Sequence, residues 1–275
     1  MKVKIFFIIL VLLIFTSCDI SNNKIGIIEI KEAIMSSEEI VNDLNNFLED
    51  ESIAAIVVRM NTPGGAVAPS QEIYDKVRQG REIKPIVTSI ESMGASGGYY
   101  IAVGSSKIVA NPGSITGSIG VIMGYPYANE MFDKIGLQYN TIKSGKYKDS
   151  GSMYRVPNTD DSLYFQNIVD NLNSQFVKVV SEERNINYTL LEDTYATGEI
   201  FTGLMAYEYN LIDTLGNFED ALNIAAKLSN ISDDYSLVYP QKDELGLLGE
   251  LLLGEVNIKE FFNYYNYSLP MYKIK

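Results

Sequence analysis

Twice in succession the chain passes from an apolar run through a glycine-rich turn into a helical pattern, and this restricts the fold more than any other feature. Residues 53–60 are apolar apart from Arg59 and end in Asn61-Thr62-Pro63-Gly64-Gly65. A helix carrying Ile73, Tyr74 and Val77 follows to Gly80, with Ser70 read as its cap. Residues 85–90 form the second run, which crosses Glu91-Ser92-Met93-Gly94-Ala95-Ser96-Gly97-Gly98 into a helix over 99–103. Strand–helix units of this kind stack into a largely parallel sheet, and the loops at the carboxyl ends of its strands meet at one edge. The Gly64-Gly65 loop is therefore expected beside Ser96, where glycines let a backbone approach a ligand closely.

Ser96 sits among small residues where a strand turns into a helix. By analogy with the strand–turn–helix elbow of hydrolases, that places a hydroxyl beside free backbone N–H groups, as a nucleophile requires. A serine that merely caps the helix fits the same residues. The chain contains no histidine, which removes a Ser-His-Asp triad and any histidine-ligated metal site. Its single cysteine rules out an internal disulfide or a cysteine metal cluster, and no metal or cofactor is expected. The base for Ser96 has to be a carboxylate or a lysine, and composition leaves the choice open. At a pKa of about 10.4, roughly one lysine in a thousand is neutral near neutral pH. Bringing that value to about 7–8 takes roughly 4 kcal/mol, which burial in an apolar pocket supplies. A net charge of −13 disfavours a nucleic-acid partner and repels the chain from an anionic bilayer, so attachment to a membrane would need hydrophobic insertion or lipid.

Such a device stands at the start. Lys2 and Lys4 precede an uncharged run over 5–15, and Phe15-Thr16-Ser17-Cys18 resembles the bacterial lipoprotein cleavage motif, departing from it at Phe15. This implies a signal peptide over 1–17, lipidation at Cys18 and a tether over 18–24. An uncleaved signal anchor is the alternative, and either places the body on the extracytoplasmic side of a bacterial cell membrane. Further along, the pattern predicts a strand over 24–30 and a helix to residue 50 opened by a Ser36/Glu39 capping box. It predicts strands over 107–110, 137–142 and 236–239, a glycine-punctuated loop over 116–121 entering a strand, and a helix over 127–135. A polar loop, 143–150, carries Lys143, Lys146 and Lys148. Thr159 is read as the cap of the longest helix, to residue 184, with Leu163, Leu172, Phe176 and Val180 inward; Asn217 is read as the cap of another, to 228. Residues 229–275 end in an apolar segment, expected to be helical and to pack on the core or on a neighbouring subunit.

Four stretches in order resemble the signal peptide peptidase A group of membrane-tethered bacterial serine proteases, peptidase family S49. They are Asn61-Thr62-Pro63-Gly64-Gly65, Met93-Gly94-Ala95-Ser96-Gly97-Gly98-Tyr99-Tyr100, Thr116-Gly117-Ser118-Ile119-Gly120-Val121, and Ile142-Lys143-Ser144-Gly145-Lys146-Tyr147-Lys148-Asp149. The resemblance covers about residues 25–228 and departs after Lys148, where the family carries a proline and this chain has Gly151-Ser152-Met153-Tyr154. It implies an α/β fold like that of Clp protease and crotonase, with repeated ββα units, a parallel sheet and a C-terminal helical segment. It implies a Ser-Lys dyad of Ser96 and Lys148, with Ser118 orienting the lysine amine and the N–H groups of Gly65 and Gly97 forming the oxyanion hole. It further implies peptide substrates, signal-peptide remnants among them, and an octamer-like homo-oligomeric ring. The fold alone would also suit a crotonase-like acyl enzyme or a non-catalytic lipoprotein scaffold.

Overall fold

The computed structural model describes residues 23–241 and the backbone of 271–273. In chain order the elements are β1 (Lys24–Lys31), α1 (Glu38–Glu49), β2 (Ile53–Thr62), β3 (Gly64–Ala66), α2 (Val67–Gly80), β4 (Ile86–Ala95), α3 (Gly97–Ala102), β5 (Lys107–Ala110) and β6 (Ile115–Gly117). There follow α4 (Asn129–Lys134), α5 (Thr159–Arg184), α6 (Tyr188–Thr194), β7 (Ile200–Thr202), α7 (Gly203–Glu208), β8 (Thr214–Leu215), α8 (Phe218–Leu228), β9 (Ser236–Val238) and β10 (Met271–Lys273).

The main sheet runs β7-β6-β4-β2-β1-β9, with β5 and β8 attached through β4, and every pairing in it is parallel except β6 with β7. β4 changes neighbour along one edge: Val87–Ile90 pair with β5, and Met93–Ala95 pair with β6. Strands buried on both faces read as continuous apolar runs, which is why 25–30 and 53–60 show no alternation. Ile27, Ala55, Val57, Val87 and Val109 meet Ala221, Leu222, Ala225 and Ala226 of α8, whose small residues allow close approach. Ile28, Ile30, Ile56, Val58 and Met60 form the opposite face with α1, α2, α3 and α5. On that face a Cβ at Gly26 would lie 2.5 Å from the Phe47 ring, so the glycine is what lets α1 sit down on the sheet.

α3 is clamped from both ends. The Tyr99 hydroxyl is buried and donates to the Leu211 carbonyl at 2.7 Å, and Tyr100 packs between Tyr74 and Phe176 with ring centroids 5.1 and 4.9 Å away. Phe176 is the point where α5 grips α3, so Phe176→Ala is expected to destabilise the fold by about 3–5 kcal/mol. A urea titration checks this through a lower midpoint at unchanged slope; a loss below about 1 kcal/mol would mean that the clamp closes without the ring.

Several local expectations are corrected. α1 opens at Ser37 rather than through a Ser36/Glu39 box: the Ser36 hydroxyl accepts from the Glu38 N–H at 3.3 Å and not from Glu39, while the Ser37 hydroxyl is taken by Glu72 of α2. Ser70 is already inside α2, which begins at Val67; its hydroxyl donates back to the Ala66 carbonyl at 2.8 Å. β6 stops at Gly117, and 137–142 forms no strand because it meets no sheet edge: Ile142 is 95% exposed. The cap of α5 is Asn158, not Thr159, through reciprocal bonds with Asp161 at 2.9 and 3.0 Å. Leu163 is 58% exposed because the first turns of α5 stand clear of the sheet, while Phe176, Val177 and Val180 are buried. Asn217 does cap α8, again with a reciprocal partner, Asp220. The signal peptide over 1–17, Cys18 and the apolar stretch over 242–270 lie outside the described residues.

Candidate active site

Ser96 connects β4 to α3 with φ 54° and ψ −118°, the first central position of a type II′ turn, a region that favours glycine. Two hydrogen bonds and a strand pairing hold it there. Its N–H donates to the Gly117 carbonyl at 2.8 Å, its carbonyl accepts from the Tyr100 N–H at 2.8 Å, and the end of β4 is fixed by the pairing of Gly94 with Thr62. A Cβ at Gly98 would lie 2.7 Å from Thr62 Cγ2, so the following turn of α3 needs glycine to pack on β2. The Ser96 side chain is 0% exposed, its Oγ has no hydrogen-bond partner among the described residues, and it does not cap α3. A buried hydroxyl left unpaired is unfavourable. The structural role of a cap therefore does not account for this serine.

The neighbouring elements face the same elbow. Ser118 also has positive φ, 52°, directly after Gly117 at 78°; its N–H donates to the Glu199 carbonyl at 2.7 Å. β3 packs against α3. Gly64 and Ala66 both bond Ile34, through Ile34 N–H to the Gly64 carbonyl at 2.9 Å and Ala66 N–H to the Ile34 carbonyl at 2.7 Å. Backbone groups alternate along a strand, so the N–H and carbonyl of Gly65 point to the other edge, where Tyr272 of β10 is its antiparallel partner. A Cβ at Gly65 would fall 2.0 Å from the Ile34 carbonyl oxygen, which excludes every other residue type. Gly97 is buried at the start of α3, where N–H groups lack intrahelical partners.

Lys148 lies elsewhere, on an exposed arm over 122–157 stiffened by aromatic stacking of Tyr139 on Tyr154 (4.0 Å) and of Tyr147 on Tyr164 of α5 (4.8 Å). No hydrogen bond joins it to Ser96 or Ser118. Of the three lysines in its loop, Lys143 pairs with Asp149 and Lys146 with Asp160, each at 2.6 Å, whereas Lys148 has no ion pair among the described residues. Arg155 braces the arm, bonding Asp149 at 3.1 Å and Asp161 at 2.8 Å, and Ser150 adds a bond to Asp161 at 2.6 Å. The Arg155 hydrogen bonds hold the Asp161 carboxyl well below the usual carboxylate range, and Arg155 followed by Lys143 lowers that of Asp149. A carboxyl depressed in the folded state stabilises it above the unfolded pKa of about 3.9 and stops doing so as pH falls through the folded value. The arm is thus expected to keep its order at pH 5 and lose it progressively below about pH 4. Pulsed hydrogen exchange over 149–161 should show this window in the wild type and its disappearance in Arg155→Met; a wild-type profile flat to pH 2 would contradict it.

A groove of about 870 Å³ opens beside Ser118, between the 120–122 and 196–201 segments and α5. Sequence reading missed it, since only Ser118, Gly120 and Val121 belong to a recognised stretch and the rest of the lining comes from distant segments. Among the described residues no three acidic or cysteine side chains converge on a metal site.

The model of peptidase family S49 matches residues 78–232, across the elbow, the Ser118 turn and the lysine arm. The chain belongs to peptidase family S49. A protease-named protein of Synechocystis sp. is 39% identical to this S49 peptidase over 240 residues, covering 87% of this chain and 86% of the relative. A protein of Enterococcus faecium named as signal peptide peptidase SppA is 32% identical over 220 residues, 80% of this chain and 63% of the relative. A ClpP1 variant from Listeria monocytogenes superimposes with a TM-score of 0.50 at 13% identity, over 74% of this chain and 96% of that one. This S49 peptidase is therefore a serine peptidase on a Clp-protease-like α/β fold with a largely parallel sheet.

Proposed function

We propose that Ser96 is the nucleophile and Lys148 the general base, that Ser118 orients the lysine amine, and that the N–H of Gly97 and, once substrate takes the place of β10, that of Gly65 receive the oxyanion, within a peptidase unit over 25–228. The Ser96 hydroxyl carries this reading: it is buried, unpartnered and held on glycine-type backbone. Its Oγ attacks a peptide carbonyl while the neutral lysine amine takes its proton. Collapse of the tetrahedral intermediate breaks the C–N bond, the lysine returns the proton to the leaving amine, and water hydrolyses the acyl-enzyme. The N–H donors stabilise the charge on the carbonyl oxygen in between. Labelling by a fluorophosphonate, lost in Ser96→Ala, tests it; a wild-type protein that neither labels nor cleaves an unstructured peptide would refute it.

A lysine acts as a base only when desolvated, and Lys148 is exposed on the single chain. In this reading a second copy supplies the missing wall, with Lys148 of one subunit serving Ser96 of its neighbour in a ring of the octamer-like kind. The arm supports this by exposing Tyr127, Met131, Ile135 and Leu137 together, an apolar surface of the sort that marks subunit contacts. The substrates proposed are cleaved signal peptides and other membrane-proximal peptides, a reading supported by the name of the Enterococcus relative and by the hydrophobic start of the chain. Among the described residues no helix is long and apolar enough to cross a membrane. The proposed attachment is a lipid on Cys18, or an uncleaved signal anchor, on the extracytoplasmic side of a bacterial membrane. Incorporation of an alkynyl fatty acid that vanishes in Cys18→Ser would separate these two.

A further inference from the structure

The groove is lined by Ser118 and so adjoins the chemistry above, but the rest of its lining takes no part in it. It begins one residue from Gly117, whose carbonyl holds the Ser96 N–H at 2.8 Å. Its charged side chains are Asp170 and Glu199, and no lysine or arginine lines it. Asp170 accepts one bond, from Gln166 Nε2 at 2.6 Å, and has no ion pair among the described residues. The Glu199 carboxylate is exposed and has neither a hydrogen bond nor an ion pair there; only its backbone carbonyl is engaged, by Ser118. Asn173, half-buried in the lining, has an Oδ1 shielded from solvent and without a partner among the described residues.

Carboxylates that brace this fold are paired with arginine: Asp149 and Asp161 with Arg155, Glu183 with Arg78 and Arg81, and Asp213 with Arg184. Asp170 and Glu199, both exposed, stand outside that frame and are free to meet a ligand. Val121, Val169, Ile200 and Met205 give the groove apolar walls. An aliphatic stem ending in a cation fits such a channel, its methylenes against the walls and its head on the two carboxylates and the orphaned amide oxygen. An acidic side chain would meet like charge, and an apolar one would leave the acceptors unpaired.

We propose that this groove is a subsite for a basic side chain of the substrate, with Asp170 and Glu199 as the specificity-determining residues. The proposal rests on Ser96 being the nucleophile and narrows the substrates to peptides that carry lysine or arginine within a few residues of the scissile bond.

The test uses the full-length protein and internally quenched apolar peptides in which one position at a time, on either side of the cleaved bond, is Lys, Arg, Gln, Leu or Glu. At one position kcat/KM for Lys and Arg should exceed that for Leu by about tenfold, with Glu the poorest. In Asp170→Asn/Glu199→Gln the Lys-to-Leu ratio should fall to about one, and Glu199→Lys should turn the preference toward Glu. Asn keeps an acceptor for Gln166 and Glu199 has no side-chain bond to lose, so an unchanged thermal midpoint is the check on folding. A wild type that labels with fluorophosphonate but prefers no basic residue at any position overturns the subsite and leaves the nucleophile standing. So does a double variant that keeps the preference. A wild type that neither labels nor cleaves removes the nucleophile reading first and the subsite with it.

Discussion

Replacing Ser96 by alanine is expected to lower peptide hydrolysis by about 10⁴-fold or more and to abolish fluorophosphonate labelling. The fold should be untouched, because Ser96 Oγ makes no hydrogen bond among the described residues and the two backbone hydrogen bonds at the elbow do not involve the side chain. A transition-state loss of that size with an unchanged unfolding midpoint is the signature of a group that acts only in the reaction. Retention of more than about a tenth of wild-type activity would remove Ser96 from the mechanism.

The second large effect is one that neither variant can show alone. Lys148→Met should be as inactive as Ser96→Ala, yet mixing the two after dissociation and reassembly should restore activity. A site built from one subunit's Ser96 and its neighbour's Lys148 is complete in about a quarter of the contacts of a random equal mixture. Recovery near that fraction supports sharing across the interface. No recovery, with reassembly verified by light scattering, would require Lys148 to reach Ser96 within its own chain. Wild-type specific activity should also fall on dilution below the assembly concentration if a neighbouring subunit supplies the dry wall.

Strand runs such as 25–30 and 53–60 were legible because burial on both faces demands unbroken apolar residues, and Asn217 was legible because a side-chain acceptor three residues ahead of an acidic partner is a local device. What misled were positions whose local preference is overridden at a distance. Ser36 with Glu39 looks like a capping box, but Ser37 is recruited by Glu72 from another helix. Ser70 looks like a start signal, but β3 feeds α2 without a break, so the serine falls inside the helix. Residues 137–142 have strand composition but no edge to pair with. At the site, Ser96 could be picked out from its small neighbours, whereas the positive φ of Ser118 and the unpaired state of Lys148 follow from tertiary placement and leave no mark in the sequence.

Backbone angles at Ser96 have an evolutionary corollary. A non-glycine residue at φ 54° and ψ −118° costs about 1–3 kcal/mol relative to one of compatible conformation. Selection for folding alone would therefore replace this serine by glycine, which relieves the strain and removes the orphaned hydroxyl in one step. Ser96→Gly should raise the unfolding free energy by roughly 1 kcal/mol while destroying activity. If Ser96 is the nucleophile, a lineage released from catalysis would drift first at this position.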